Sequence, residues 1–252
     1  MKKIIVVLLA LLCLCACSSA EQADDSSNTD DVKVLTMATE ATFEPYEYYD
    51  GEEIVGIDVE IAEKICEKLG YELEVVDTSF TSLVSGVQEH KYDFSMAGMT
   101  VSEERLEKIN FTNSYATGIQ VVIVNSDSEI KSVDDLYDSS YLIGVQSGTT
   151  GELYSLDDFG EDNVKSFDKT TDAATALVNK QIDCIILDNE PAKAIVEKNE
   201  GLMILDTEYS VEDYAIAIAK DNDELLNEFN TALEELTNDG TIQTIIDKYI
   251  GE

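Results

Sequence analysis

An α/β fold of mainly parallel strands is what this sequence predicts, and three observations predict it. Apolar strand patterns alternate with amphipathic helix patterns from Val32 onward. The stretch beyond Val32, about 220 residues, exceeds the usual single-domain size and is long enough for two lobes, each with its own core. There is also an internal echo. Leu83-Val84…Lys91-Tyr92-Asp93-Phe94 matches Leu177-Val178…Gln181-Ile182-Asp183-Cys184, each an apolar helix end, a polar turn, an Asp and a strand.

Residues 1–17 precede the fold. Lys2-Lys3 is a charged start and residues 4–14 are apolar, too few for the about 20 a bilayer span needs and suited to a signal peptide. Leu14-Cys15-Ala16-Cys17 resembles a bacterial lipobox with Cys17 as the lipidated residue. Cleavage near Ala20 as a plain secretory signal is the alternative. Residues 18–31 are polar and acidic and read as a disordered tether of about 14 residues. No other apolar stretch is long enough to be transmembrane.

The elements then follow in order. Residues 32–38 form an apolar strand, and residues 39–49 an irregular aromatic loop around Pro45. Asp58 caps a helix with Ile61, Ala62, Ile65 and Leu69 on one face, closed by Gly70. Residues 71–76 are a strand, Leu83, Val84 and Val87 mark a helix, and residues 92–96 and 120–124 are strands. A second block repeats the logic: a strand at 142–145, the loop Gly148-Thr149-Thr150-Gly151 opening a helix, a helix from Ala173 and a strand at 182–187. Residues 214–219 read as a strand. Helices at 225–236 and 242–249 are separated by the stop Asn238-Asp239-Gly240. Too little chain remains for a third domain, so these helices return to the first lobe. Lobe 1 is thus 32–119 with 215–252 and lobe 2 is 120–214, with crossings near 118–125 and 210–215.

Charge narrows the function. Acids number 53 and bases 16, a net charge of −37. Such a surface repels phosphate backbones, so nucleic acid is not an expected partner. It also repels anionic headgroups, so the lipid on Cys17, not a basic patch, would provide the membrane attachment. Cys66 on a helix and Cys184 in a strand read as small buried residues; a disulfide between them has no support, and neither belongs to a metal-ligand pattern.

Most enzyme classes lack their residues here. His90, the single histidine, falls in a polar turn and reads as solvated. No G-x-S-x-G, H-E-x-x-H or mature C-x-x-C occurs. Residues 144–151 imitate a phosphate loop without its Lys, and Asp221-Asn222-Asp223 imitates the start of a calcium loop without its Gly, leaving it a helix cap. No cofactor and no metal is expected.

What remains is a binding constellation. In residues 97–105 a strand enters the small-residue turn at Gly98 and opens a helix that Ser102 can cap. Arg105 lies in the first turn of that helix, where the dipole disfavours a cation. A hydroxyl, free amides and a guanidinium converging there suit a carboxylate. Pairing of Arg105 with Glu103 or another surface acid is the competing reading. Asp188 ends an apolar strand, where ligands gather in α/β folds, or it serves as the N-cap of the next helix. The Gly148-Thr149-Thr150 loop adds amides and hydroxyls. A cation on one lobe facing an anion on the other suits a zwitterion.

With these residues in place, the chain resembles the extracellular solute-binding proteins of polar amino-acid ABC transporters (family 3, type II periplasmic-binding-protein fold). The segments that carry the likeness are 38–46, 56–62, 97–105, 144–151, Leu187-Asp188-Asn189 and Asp239-Gly240-Thr241, in order and at family spacing. The resemblance implies a two-lobed clamp with two hinge crossings. It implies that Arg105 holds the ligand α-carboxylate, helped by Thr100 and the Thr150 amide, with Thr149 in the same loop. Asp188 and the Gly98 carbonyl would hold the α-ammonium, and Phe43 and Phe80 would sandwich the ligand. Glu40 and Gln146 would meet its side chain. An acid at Glu40 leans slightly towards Lys or Arg as ligand, though glutamine binders can carry one too. Ala97-Gly98 stands where many relatives have serines, so those hydroxyl contacts are absent. The implied protein is not an enzyme. It is a monomer anchored by lipid outside the cytoplasmic membrane, and its partners are a free amino acid and an ABC permease. A prephenate or arogenate dehydratase-like enzyme on the same fold is the alternative, as is a detached receptor sensor module.

Overall fold

The computed structural model describes residues 32–137 and 141–251. The expected leader, Cys17 and the tether lie outside the described residues. The chain runs through β1 (Val34–Thr39), β2 (Thr42–Phe43), β3 (Glu47–Asp50), β4 (Glu53–Val55), α1 (Ile57–Leu69), β5 (Glu72–Asp77), α2 (Leu83–Gln88), β6 (Phe94–Ser95), α3 (Glu103–Lys108) and β7 (Ile109–Phe111). It continues through β8 (Ala116–Asn125), β9 (Ile143–Gln146), α4 (Thr150–Phe159), β10 (Val164–Phe167), α5 (Thr170–Val178), β11 (Cys184–Asp188), α6 (Asn189–Lys198) and β12 (Leu202–Tyr214), and closes with β13 (Ala217–Ala219), α7 (Asp223–Asn238) and α8 (Thr241–Ile250).

Two five-stranded sheets give the molecule its two lobes, ordered β5-β1-β6-β13-β7 and β10-β9-β11-β8-β12. Within each, the strands joined by helices are parallel: β1 beside β5 and β6, β9 beside β10 and β11. The strands that pass between lobes break the pattern. β13 is antiparallel to β6 and β7, and β8 is antiparallel to β11 and β12. The sheets are therefore mixed, because a strand entering from the other lobe need not obey the βαβ crossover that makes neighbours parallel. The chain leaves the first sheet after Phe111, slightly before the expected crossing, and returns beyond Tyr214.

The aperiodic stretch at 39–49 is not an irregular loop. It forms β2 and β3, paired antiparallel and extended by β4 into a three-stranded ribbon. Asp58 does not cap α1. Gly56 stands at the N-cap, and Asp58 in the first turn is fully buried, its Oδ2 accepting the Gly98 amide at 2.8 Å. The predicted strand at 214–219 is broken between β12 and β13. Most of β12 is invisible in the sequence because it is an edge strand whose register slips between Ile204 and Ser210, destroying the two-residue period.

The final helices pack on the first lobe. Phe229 of α7 meets Phe94 of β6 edge-on with ring centres 4.9 Å apart, and Tyr71 donates to Glu228 at 2.9 Å. α8 joins the same core through Ile242 and Ile245, both buried. Asn222 caps α7 by accepting the Leu225 amide, as the helix-cap reading of residues 221–223 expects. Cys66 and Cys184 are buried free thiols.

Candidate functional site

Strand direction decides where the site lies. Glu40 follows β1, Ala97 and Gly98 follow β6, Gln146 ends β9 and Asp188 ends β11. The carboxyl ends of the parallel strands in both sheets thus face one crevice, the usual place for a ligand in α/β proteins. There the lobes close over a tight cavity of about 20 Å³, far below the volume of an occupied ligand site. All ten residues proposed from the sequence line it, together with Glu47 and Ala97. Wider grooves, such as the one between Glu53, Glu74 and Lys248, are open to solvent.

Arg105 reaches the cavity because α3 begins where Ser102 caps it, the Ser102 hydroxyl accepting the Arg105 amide at 3.3 Å. Its side chain turns inward, so the surface-pair reading fails. Nη1 donates to the Thr100 carbonyl at 2.7 Å and Nη2 to the Gly148 carbonyl of the other lobe at 3.0 Å. The guanidinium lies over the Phe80 ring, 5.4 Å from its centre, a cation–π geometry. Burial presses its pKa down, while the nearby Glu212 carboxylate favours the charged form.

Asp188 occupies the N-cap position of α6, yet its side chain makes no cap bond. Oδ1 accepts the Tyr214 hydroxyl and Oδ2 accepts Gln120 Nε2 at 2.9 Å. Burial pushes its carboxyl up to about 7, with repulsion from Glu212 adding to the rise and the Tyr214 and Gln120 bonds opposing it. Tyr214 can reach Asp188 only because residue 118 is glycine, where a Cβ would stand 2.1 Å from the phenol oxygen. Gly98 meets two demands: φ is +50°, and a Cβ there would come within 2.6 Å of the Phe43 ring.

Glu40 is buried, both its oxygens accepting the Thr42 hydroxyl at 2.8 Å and Oε2 accepting Gln146 Nε2 across the cleft at 3.2 Å. Burial raises its carboxyl above the ordinary value, against those two hydrogen bonds. Thr149 caps α4 by accepting the Glu152 amide, and the Thr150 hydroxyl lies 3.4 Å from that of Thr100 on the opposite lobe. The Thr100 hydroxyl donates to Glu212 Oε2 at 3.0 Å, and Gln120 donates to the same oxygen. The two lobes are therefore in hydrogen-bonded contact around the cavity.

Sequence reasoning missed Glu47, Gln120, Glu212 and Tyr214. Glu47 fell in a stretch without periodicity. The other three lie on the strands that join the lobes: the pairing of β8 with β11 sets Gln120 opposite Asp188, and that of β8 with β12 brings Glu212 and Tyr214 alongside. No local signal marks them.

Electrostatically the cavity has one cation, Arg105, against the acids Glu40, Glu47 and Asp188. That lining can take a molecule carrying a carboxylate and more than one positive group.

Comparison with known proteins bears on the family and the fold. The family model described as "Bacterial extracellular solute-binding proteins, family 3" matches residues 35–252. An arginine-binding extracellular protein, ArtP, of Bacillus subtilis is 32% identical over 99% of this chain and 98% of its own length. Among solved structures, an ancestral arginine-binding protein bound to glutamine is 36% identical and superposes with a TM-score of 0.82, covering 87% of this chain and 98% of the other. The arginine-, lysine-, histidine-binding protein ArtJ of Geobacillus stearothermophilus is 29% identical with a TM-score of 0.82, covering 87% and 96%.

Proposed function

The chain belongs to the bacterial extracellular solute-binding proteins, family 3, and from that premise we propose that it captures a free amino acid with a cationic side chain, arginine first, for an ABC transporter permease. The observation that carries this reading is the charge balance of the cavity: a single guanidinium at one end, and buried Asp188 and Glu40 around the rest. Similarity to proteins named for arginine supports it.

In this reading Arg105 receives the α-carboxylate with its planar fork, beside the Thr100 hydroxyl and the amides of Thr149 and Thr150. The α-ammonium goes to Asp188 and the Gly98 carbonyl. Phe43 and Phe80 sandwich the aliphatic stem, and Glu40 with Gln146 meets the cationic end. Charge-assisted hydrogen bonds contribute about 1.5–3 kcal/mol each. Four of them, less the cost of ordering the ligand, reach the roughly −8 to −10 kcal/mol of micromolar or tighter capture. A ligand bridging both lobes favours the closed form, since an open crevice satisfies only one of its ends. The role is binding, not catalysis, and the working form is a monomer. The hinge divides 32–119 plus 215–252 from 120–214. Cys17 anchors the protein by lipid outside the cytoplasmic membrane.

Titration calorimetry with arginine, lysine, glutamine and glutamate tests the reading. Arginine is expected to bind tightest, and Arg105→Ala to weaken it at least about 100-fold, the loss of a bidentate charged pair of about 3 kcal/mol. Unchanged affinity in that variant, or glutamate binding tighter than arginine, refutes it.

A further inference from the structure

Glu47 in the cavity wall and its neighbour Asp58 are enclosed carboxyl groups with an unusual hydrogen-bond deficit. Glu47 stands on β3, opposite Phe43 of β2, and Asp58 lies in the first turn of α1. Both residues are wholly inaccessible to solvent. Backbone bonds hold the two elements together: the Ile57 amide donates to the Pro45 carbonyl at 3.1 Å and the Asp58 amide to the Tyr46 carbonyl at 3.0 Å. The two carboxyl groups meet there, with the Tyr115 hydroxyl against Asp58. Only one of the four carboxyl oxygens has a well-formed bond, Asp58 Oδ2 with the Gly98 amide. Both Glu47 oxygens, Asp58 Oδ1 and the Tyr115 hydroxyl have none.

The charges acting most strongly on Glu47 are negative, and Arg105, the one cation of the lining, spends its hydrogen bonds on the Thr100 and Gly148 carbonyls. The charged groups acting on Glu47 are Asp58, Glu40 and Asp188, all acids, and the neighbours of Asp58 are Glu47, Tyr115 and the Gly98 amide. Tyr46 and Tyr115 add only phenols. Two ionised carboxylates cannot be enclosed in contact without a cation between them. One proton removes the conflict: a carboxylic acid donates to its neighbouring carboxylate and both are satisfied.

We propose that Glu47 and Asp58 hold a single proton between them, carried on Glu47, and that the resulting acid–carboxylate pair fixes the Gly98 turn on which the ligand ammonium is received. Glu47 is then a positioning residue. Its O–H engages Asp58, and the opposite oxygen of Asp58 holds the Gly98 amide. The turn needs such a tether, since Gly98 has a left-handed φ and no side chain of its own to anchor it. The direction of titration agrees: burial lifts Glu47 well above the usual carboxylate range, with repulsion from Asp58 and Glu40 adding to it, whereas Asp58 rises only to about 6, restrained chiefly by the Gly98 amide. The effect on affinity rests on the amino-acid-binding reading above; the shared proton does not.

The test uses full-length protein with the carboxyl carbons of its glutamates isotope-labelled and followed by NMR. At neutral pH one glutamate carboxyl is expected to remain protonated, and its signal to vanish in Glu47→Gln or, if that variant does not fold, to shift in Asp58→Asn. Arginine affinity is expected to fall about tenfold or more in Glu47→Leu, with Glu47→Gln, which keeps a donor for Asp58, recovering most of the loss. Complete ionisation of every glutamate at neutral pH, or a protonated signal indifferent to both variants, overturns the shared proton. Equal weakening in the Leu and Gln variants overturns the positioning role. Because the labelled carboxyl is read without ligand, failure of arginine to bind and failure of the shared proton are told apart.

Discussion

Replacing Glu40 by glutamine isolates the charge that would select a cationic ligand. The substitution preserves shape, and it preserves an acceptor for the Thr42 hydroxyl, which now meets both carboxylate oxygens at 2.8 Å. The fold should therefore survive. What disappears is a negative charge that is almost wholly buried, 3% exposed, in the wall of the cavity. Removing one member of a buried charged pair costs about 2–5 kcal/mol. The lower part of that range applies, because the Thr42 and Gln146 dipoles already spread part of the charge and remain after substitution. A loss of about 2–3 kcal/mol is about a 30- to 150-fold weaker Kd for arginine. Glutamine has no cationic end, so its affinity should change less than about threefold, under about 0.6 kcal/mol. Calorimetry on both ligands reads the difference directly. The pH dependence gives a second signature. Burial holds the Glu40 carboxyl above its usual value. Arginine affinity in the parent protein should therefore fall as pH drops through that raised value, and the variant should lack this step. Equal losses for arginine and glutamine, or no loss for either, would show that Glu40 supports the fold and does not read the side chain.

Two further outcomes follow from the same network. Asp188 is carried up to about 7 in the folded protein, against an ordinary value near 3.8, so it lends stability below about pH 4 that is lost as pH rises through 7. The stability of Asp188→Asn relative to the parent, measured by denaturant unfolding without ligand, should therefore grow from near zero at about pH 4 to about 4 kcal/mol at about pH 8; a flat difference contradicts the burial argument. Gly118→Ala would drive a methyl group against the phenol of Tyr214, which is fully buried and cannot retreat. It should cost about 1–3 kcal/mol of stability in urea unfolding and weaken amino-acid binding through Asp188; a silent substitution would mean that β8 and β12 can separate to make room.

The site was legible where one short segment carried its own chemistry. Ser102 capping α3 and Arg105 in its first turn could be read from nine consecutive residues, because a cap and a dipole are local. Asp188 was legible as the end of an apolar strand, though not its choice between cap and cleft. That choice depended on Tyr214 and Gln120, distant in sequence and brought to it by the pairing of β8 with β11 and β12.

The alternation of elements, the small-residue turn at Gly98 and the imbalance of acids over bases belong to the sequence itself, because period, backbone freedom and charge are properties of neighbouring residues. Tertiary structure alone decided that Glu47 and Asp58 touch, that Gly118 clears a path for Tyr214, and that the strands linking the lobes run antiparallel to their neighbours. Each of these depends on which distant strand lies alongside, and that is determined when the whole core packs.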